Sequence, residues 1–219
     1  MTRKKTVFIL AGAVVLLAFI LGVFTYQRQQ AKAQQQLAQQ NSPVFNRSHS
    51  PTYGPSTAKV KITEFFDPAC ETCRAFYPMV KKLVDAEKGR VQLVVRFVPF
   101  HHGSELAAKI LVAAQAQNLF IPVTEIVLNN QDAWASHSRP EPERIWGFLK
   151  GTSFDLAKAR VDVDAPAVKA VIDQDMADAK TLNVTRTPGF FVNGKPLVNF
   201  GYAQLEELVQ QELRLAYPD

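Results

Sequence analysis

The sequence predicts an α/β domain interrupted by a block of helices and preceded by one N-terminal transmembrane helix. Three observations carry that reading. Thr6–Tyr26 is an uncharged run of 21 residues. Residues 59–216 pattern as strand, helix, strand, helical block, hairpin and helix, with no internal repeat. Two cysteines, Cys70 and Cys73, stand three apart where the first strand hands over to the first helix. A chain of 219 residues, 47% hydrophobic, suits one medium-sized domain plus accessory segments. Two cysteines are too few to scaffold it, so ordinary apolar packing must hold the core.

A helix over Thr6–Tyr26, at 1.5 Å per residue, spans a hydrocarbon core of roughly 30 Å. Arg3, Lys4 and Lys5 precede it directly and place the N-terminus in the cytoplasm; Arg28 and Lys32 on the far side weaken that asymmetry only slightly. The competing reading is a cleaved signal peptide with Ala31-Lys32-Ala33 as the cleavage site, but that tripeptide lies several polar residues beyond the apolar run. Either way the rest of the chain reaches the oxidising side of the membrane. Residues 1–26 are thus expected to be a basic start and anchor.

Residues 27–54 are expected to form a stalk and linker. Gln27–Asn41 holds eight Gln in fifteen residues, with Leu37 as its one large apolar side chain. That favours a solvated helical spacer and lacks the repeated a/d residues of a coiled coil. Asn41-Ser42-Pro43 breaks it, and the stretch through Gly54-Pro55-Ser56 reads as irregular.

The folded domain is expected over 55–219. Lys59–Phe66 is a strand stopped at Asp67-Pro68, and Val91–Val98 a second one. Cys70 to about Lys88 is helical, with Phe76, Val80 and Leu83 on one face. Ser104 is the expected N-cap of Glu105–Asn118. Further helical pieces at Ile121–Leu128, Glu143–Leu149, Phe154–Val161 and Pro166–Leu182 complete an insertion at about 103–182. Trp134 and Trp146 pack that block, and Met79 and Met176 fill core. Asn193-Gly194 between Phe190–Val192 and Pro196–Asn199 signals a hairpin, and Ala203–Ala216 closes the chain as an amphipathic helix.

Charge excludes one class of partner. Residues 1–45 carry five Lys/Arg and no acid, so residues 46–219 balance 20 Lys/Arg against 20 Asp/Glu. The pI of about 9.2 belongs to the anchor, and the domain has no electrostatic case for binding nucleic acid.

Cys70-Glu71-Thr72-Cys73 carries the chemistry. At a helix start, unpaired N–H groups and the dipole favour an anion on the first sulfur, so Cys70 is expected to be a thiolate nucleophile and the shielded Cys73 its resolving partner. By itself a C-x-x-C could equally be a structural disulfide or half a metal site. His101 and His102 follow Pro99-Phe100 at a strand end, but no second ligand pair stands at suitable spacing, so no metal site is expected there.

The surroundings of this motif resemble the DsbA-like branch of the thioredoxin superfamily. Val60–Asp67 followed by Pro68-Ala69-Cys70-Glu71-Thr72-Cys73-Arg74 is similar to the family's first core strand and active-site helix. Pro78 stands where those helices commonly kink, and Val184–Gly194, with Thr187-Pro188, resembles its cis-proline loop and hairpin. The likeness runs from about Pro55 to Ala216. It implies a thioredoxin-like fold with an inserted helical subdomain, and a Cys70–Cys73 redox disulfide in place of any cofactor. It also implies a buried acid at Glu64 that exchanges a proton with Cys73, and a cis Pro188 that leaves the Thr187 backbone free to pair with substrate. Glu71 and Thr72 complete the substrate-facing surface.

The expected activity is oxidation, isomerisation or reduction of disulfides in exported, cysteine-bearing proteins on the periplasmic face of a bacterial inner membrane. A membrane or periplasmic partner would reset the cysteines. Glu71 beside the thiolate, and Thr rather than Val before the proline, point to a less acidic Cys70 and a more moderate couple than in relatives with His between the cysteines. Two alternatives stay open: a Cu(I)-handling thiol protein, since two thiolates suit a soft ion, and an anchored assembly chaperone in which the redox pair is incidental.

Overall fold

The computed structural model describes residues 3–40, 42–45 and 47–218; Met1 and the expected break at Asn41 lie outside the described residues. A single helix, α1 (Arg3–Gln40), joins the apolar run to the Gln-rich stretch without interruption. Its segment Gly12–Gln30, of mean hydropathy 1.3, is long and apolar enough to cross a membrane by length and composition.

The domain is built on a five-stranded mixed sheet in the order β1-β3-β2-β4-β5. At its centre β2 (Val60–Phe66) pairs in parallel with β3 (Val91–Phe97) and antiparallel with β4 (Gly189–Val192). Every residue of β2 except Lys61 is buried, so Thr63 and Glu64 mark no solvent face. Alternate residues still face opposite ways. Ile62 and Phe66 pack with α2 (Glu71–Ala86) and α9 (Tyr202–Ala216), whereas Phe65 packs on the other face with Val98 and Phe191. Glu64 shares the face of Ile62 and stands in register between Val95 and Phe190. The hairpin β4–β5 (Lys195–Pro196) turns on Asn193 and Gly194, both at positive φ as such a tight turn needs.

The order read from the sequence holds, with local corrections. Pro196–Asn199 is not a full strand: pairing stops at Pro196, which has no N–H to offer, although Leu197 N–H still reaches Phe190 O at 2.9 Å. The first domain helix begins at Glu71 and runs through Pro78 to Ala86, with Cys70 as its N-cap. The insertion comprises α3 (Ser104–Ala116), α4 (Phe120–Asn129), α5 (Gln131–Trp134), α6 (Ile145–Phe148), α7 (Leu156–Asp162) and α8 (Pro166–Thr181). The single turn α5 has no sequence pattern of its own. Trp134 and Trp146 are buried in the block as expected. Ser104 is not an N-cap: Gly103, at φ +79°, takes that place, because the Ser104 hydroxyl turns inward to the buried Asp67 carboxylate.

The stretch 42–54, expected to be irregular, contributes to the domain. Ser42–Phe45 is a 3-10 turn whose Val44 and Phe45 are buried, with Phe45 5.1 Å from the Phe191 ring. β1 (Thr52–Tyr53) adds an antiparallel edge to β3. An ionic cluster ties this segment down. Arg96, fully buried on the face of β3 away from α2, binds Asp175 at 2.7 Å, Asp178, and the Val44 carbonyl. Arg47 grips Asp178 (2.8 and 2.9 Å), and His49 meets Asp175 (2.7 Å). The second Asp175 oxygen accepts Phe97 N–H at 2.7 Å. A buried charge survives only when paired and hydrogen-bonded like this.

Candidate active site

The site forms where β2 runs out and α2 begins. Asp67, fully buried, organises the turn between them. Its carboxylate accepts the N–H groups of Ala69 and His101 (both 2.9 Å) and the Ser104 hydroxyl, and lies 2.6 Å from His101 Nδ1. Its carbonyl accepts Cys70 N–H at 3.0 Å. This arrangement delivers Cys70 in an extended conformation (φ −75°, ψ 119°) as the cap of α2, its sulfur accepting Cys73 N–H at 3.5 Å.

The two thiols differ as the position demands. Hydrogen bonding to the Cys73 thiol is the largest influence on Cys70. Bonds from the Thr187 side chain and from the Cys73 and Thr72 backbone add to it, and together they outweigh burial to bring the Cys70 thiol down to about 5. Burial pushes Cys73 the other way, well above the ordinary thiol value; its bond to Cys70 and the nearby Glu64 and Cys70 charges reinforce that. Cys73 is wholly inaccessible and Cys70 keeps 5% exposure.

Glu64 lies beneath α2, fully buried, with neither carboxylate oxygen hydrogen-bonded. Burial first, and the Cys70 charge second, push its pKa up to about 8. It is the kind of isolated buried acid the resemblance implied, not a solvent-facing strand residue. Tyr77, one turn beyond Cys73 on the buried stripe of α2, also leaves its hydroxyl unpartnered.

The peptide bond Thr187–Pro188 is cis. Thr187 faces Cys70 across the site, its carbonyl 3.4 Å from Cys70 Sγ. A groove runs along this loop past Arg186, Pro188 and Phe200, with Tyr26 and Gln30 of α1 on its far side. The structure therefore brings together Cys70, Cys73, Glu64, Thr187 and Pro188. Thr72 is exposed and contributes its N–H to the Cys70 sulfur. Glu71, 68% exposed, holds its carboxylate 3.6 Å from His137. Solvent screens its charge. His101 belongs to Asp67, His102 is exposed, and no cluster able to hold a metal occurs among the described residues.

Sequence reasoning missed Asp67, read only as a strand stop, and Gln131. The amide of Gln131, 1% exposed, donates to Pro68 O at 2.7 Å and Cys70 O at 3.1 Å. A charged residue directly before the C-x-x-C turn was a usable signal for the first; nothing local marks the second.

Comparisons with known proteins agree with this geometry. A family model described as thioredoxin matches residues 46–211. The chain is 27% identical over 186 residues to disulfide bond formation protein D of Bacillus subtilis, covering 75% of this chain and 77% of that protein. It is 29% identical over 144 residues to a Na(+)/H(+) antiporter NhaA of Herminiimonas arsenicoxydans; that match takes in 66% of this chain and spans only 22% of the antiporter's length. The crystal structure of a thioredoxin-like oxidoreductase from Silicibacter pomeroyi superposes with a TM-score of 0.67 at 29% identity, over 78% of this chain and 96% of that one. A cis-proline loop against a capped C-x-x-C, on a sheet of this order, places the chain in the thioredoxin family, among the DsbA-like thiol–disulfide oxidoreductases.

Proposed function

We propose that this chain exchanges disulfides with exported, cysteine-bearing proteins while held by α1 in a bacterial inner membrane, its domain on the periplasmic side. Residues 1–26 act as anchor, the helix beyond them as stalk, and the domain needs no cofactor besides its own cysteines. The observation that carries this reading is the asymmetry of the pair: an acidic thiol at the helix cap and a buried, reluctant one behind it.

Each step balances. The Cys70 thiolate attacks a substrate disulfide, forming a mixed disulfide and releasing one substrate thiolate. Cys73 then gives its proton to Glu64 and attacks Cys70 Sγ, freeing the second substrate thiolate and leaving the Cys70–Cys73 disulfide. Glu64 suits that moment. While Cys70 is anionic, its charge helps keep Glu64 protonated; once Cys70 is capped in the mixed disulfide that charge is gone, and Glu64 becomes a readier base. Run backwards, the same steps oxidise a client, with Glu64 returning the proton to Cys73. Thr187 lies where an extended client would pair, and Glu71 and Thr72 face outward beside it.

A Cys70 value of about 5 falls between the roughly 7 of thioredoxin and the roughly 3.5 of a strong oxidase, which supports a moderate couple. A membrane or periplasmic thiol partner would reset it. The test is a Cys73→Ala variant in cells. Mixed disulfides between Cys70 and exported proteins are expected to accumulate; their absence, together with no insulin reduction by the wild-type chain, would sink the proposal.

A further inference from the structure

We propose that Gln131 is a positioning residue through which the helical insertion sets the acidity of Cys70; this rests on Cys70 being the nucleophile. The turn leading into α2 is held from two sides. Within its own segment, Asp67 grips Ala69 and Cys70. Across the site, Gln131 of α5 reaches over with both amide hydrogens, one to Pro68 O and one to Cys70 O. Arg74, one turn into α2, returns a bond to Asp132 at 2.7 Å, so adjacent residues of α5 clasp the start of α2 at two points.

The chemistry makes the amide hard to replace. Pro68 O and Cys70 O are acceptors, so only the donor end of Gln131 can face them, and its Oε1 is left buried without a partner. A single Nε2 bonding two carbonyls of the same turn, two residues apart, fixes where the Cys70 backbone sits. The Thr72 and Cys73 N–H groups bond Cys70 Sγ from two and three residues further on, the latter at 3.5 Å, so their alignment depends on that same anchor point. Releasing it lets the sulfur drift from those donors, and a thiolate that loses donors becomes more basic. The insertion is then part of the redox apparatus, although none of its residues need touch substrate.

The test uses the full-length reduced protein in detergent, with iodoacetamide alkylation of Cys70 followed against pH by peptide mass spectrometry. Gln131→Met and Gln131→Leu both keep an uncharged side chain of similar bulk and remove the donors. Each is expected to move the alkylation midpoint up by about one unit, a roughly tenfold slower reaction at pH values below both midpoints and an unchanged rate above them. Trp134→Phe is the control. It loosens the same turn by removing the Trp134 Nε1 bond to Val127 O (2.9 Å) and is expected to leave the midpoint in place. Midpoints within about 0.3 unit of wild type in whichever Gln131 variant folds would overturn the proposal. An equal shift in the Trp134 variant, or failure of both Gln131 variants to fold, would overturn it too, by showing a general loosening. The readout is a thiol titration and needs no client, so a failed exchange activity and a failed role for Gln131 give different results.

Discussion

Cys70 and Glu64 oppose each other through the base of α2: the charge on the Cys70 sulfur raises the cost of ionising the carboxyl buried beneath it. The pair therefore has a pH signature in stability as well as in rate. Glu64 titrates near 8 in the folded protein against about 4.5 for a free carboxyl, so between those values the folded state binds the proton more tightly. Its contribution is intact below pH 4.5 and declines as the pH climbs to 8, by on the order of 4 kcal/mol. Reduced Glu64→Gln protein is expected to match wild type near pH 4 in urea melts and exceed it by several kcal/mol at pH 8. The same comparison on the Cys70–Cys73 disulfide form should show the same sign with a smaller gain, because the thiolate is gone. A gain over wild type no larger at pH 8 than at pH 4 would show that Glu64 is not held neutral.

Alkylation should separate the two sulfurs. In reduced wild-type protein, Cys70 is expected to react with a midpoint near 5, and Cys73 to stay unmodified through neutrality. The linked stability has the opposite sense to that of Glu64. Stabilisation by the Cys70 thiolate is complete above about 9 and disappears as the pH falls through about 5. Two thiols reacting at similar rates at pH 7 would remove the basis for assigning nucleophile and resolver.

Thr187→Val tests the bond from the opposite loop. The hydroxyl that helps hold the Cys70 anion is lost while the size of the side chain is kept, so the alkylation midpoint is expected to rise by about half a unit to one unit. An unchanged midpoint would mean that the hydroxyl is aimed elsewhere.

Arg96→Met should be far more damaging than its position outside the site suggests. It leaves Asp175 and Asp178 buried against each other without their shared cation, a loss of about 3–5 kcal/mol readable in a thermal or urea melt. Arg47→Ala, at a half-buried guanidinium on the same Asp178, should cost about 1 kcal/mol. Equal losses for the two variants would show that Arg96 is not the cluster's keystone.

What could be read beforehand was whatever is local. Cys70 and Cys73 at a strand–helix junction, Asn193-Gly194 between short apolar runs, and Thr187-Pro188 at a fitting distance each announce themselves within a few residues. The missed residues act across long stretches of chain: Asp67 on His101 and Ser104, Gln131 on Cys70, Arg96 on Asp175 and Asp178. One such clue was in plain view. An arginine inside VQLVVRFV has to find carboxylates if the strand is buried on both faces, and Asp175 and Asp178, three apart, share one face of the last insertion helix. Glu64 posed the converse difficulty, since nothing near it in sequence distinguishes a buried acid from a solvated one.

The seam between rod and domain has a mechanical meaning. Val44 is already inside the core, so only three residues separate it from Gln40, the last residue of α1. Three residues reach at most about 10 Å. The long helix therefore cannot swing far from the sheet without drawing Val44 out of its apolar seat, so any pull on the rod is felt directly by the core.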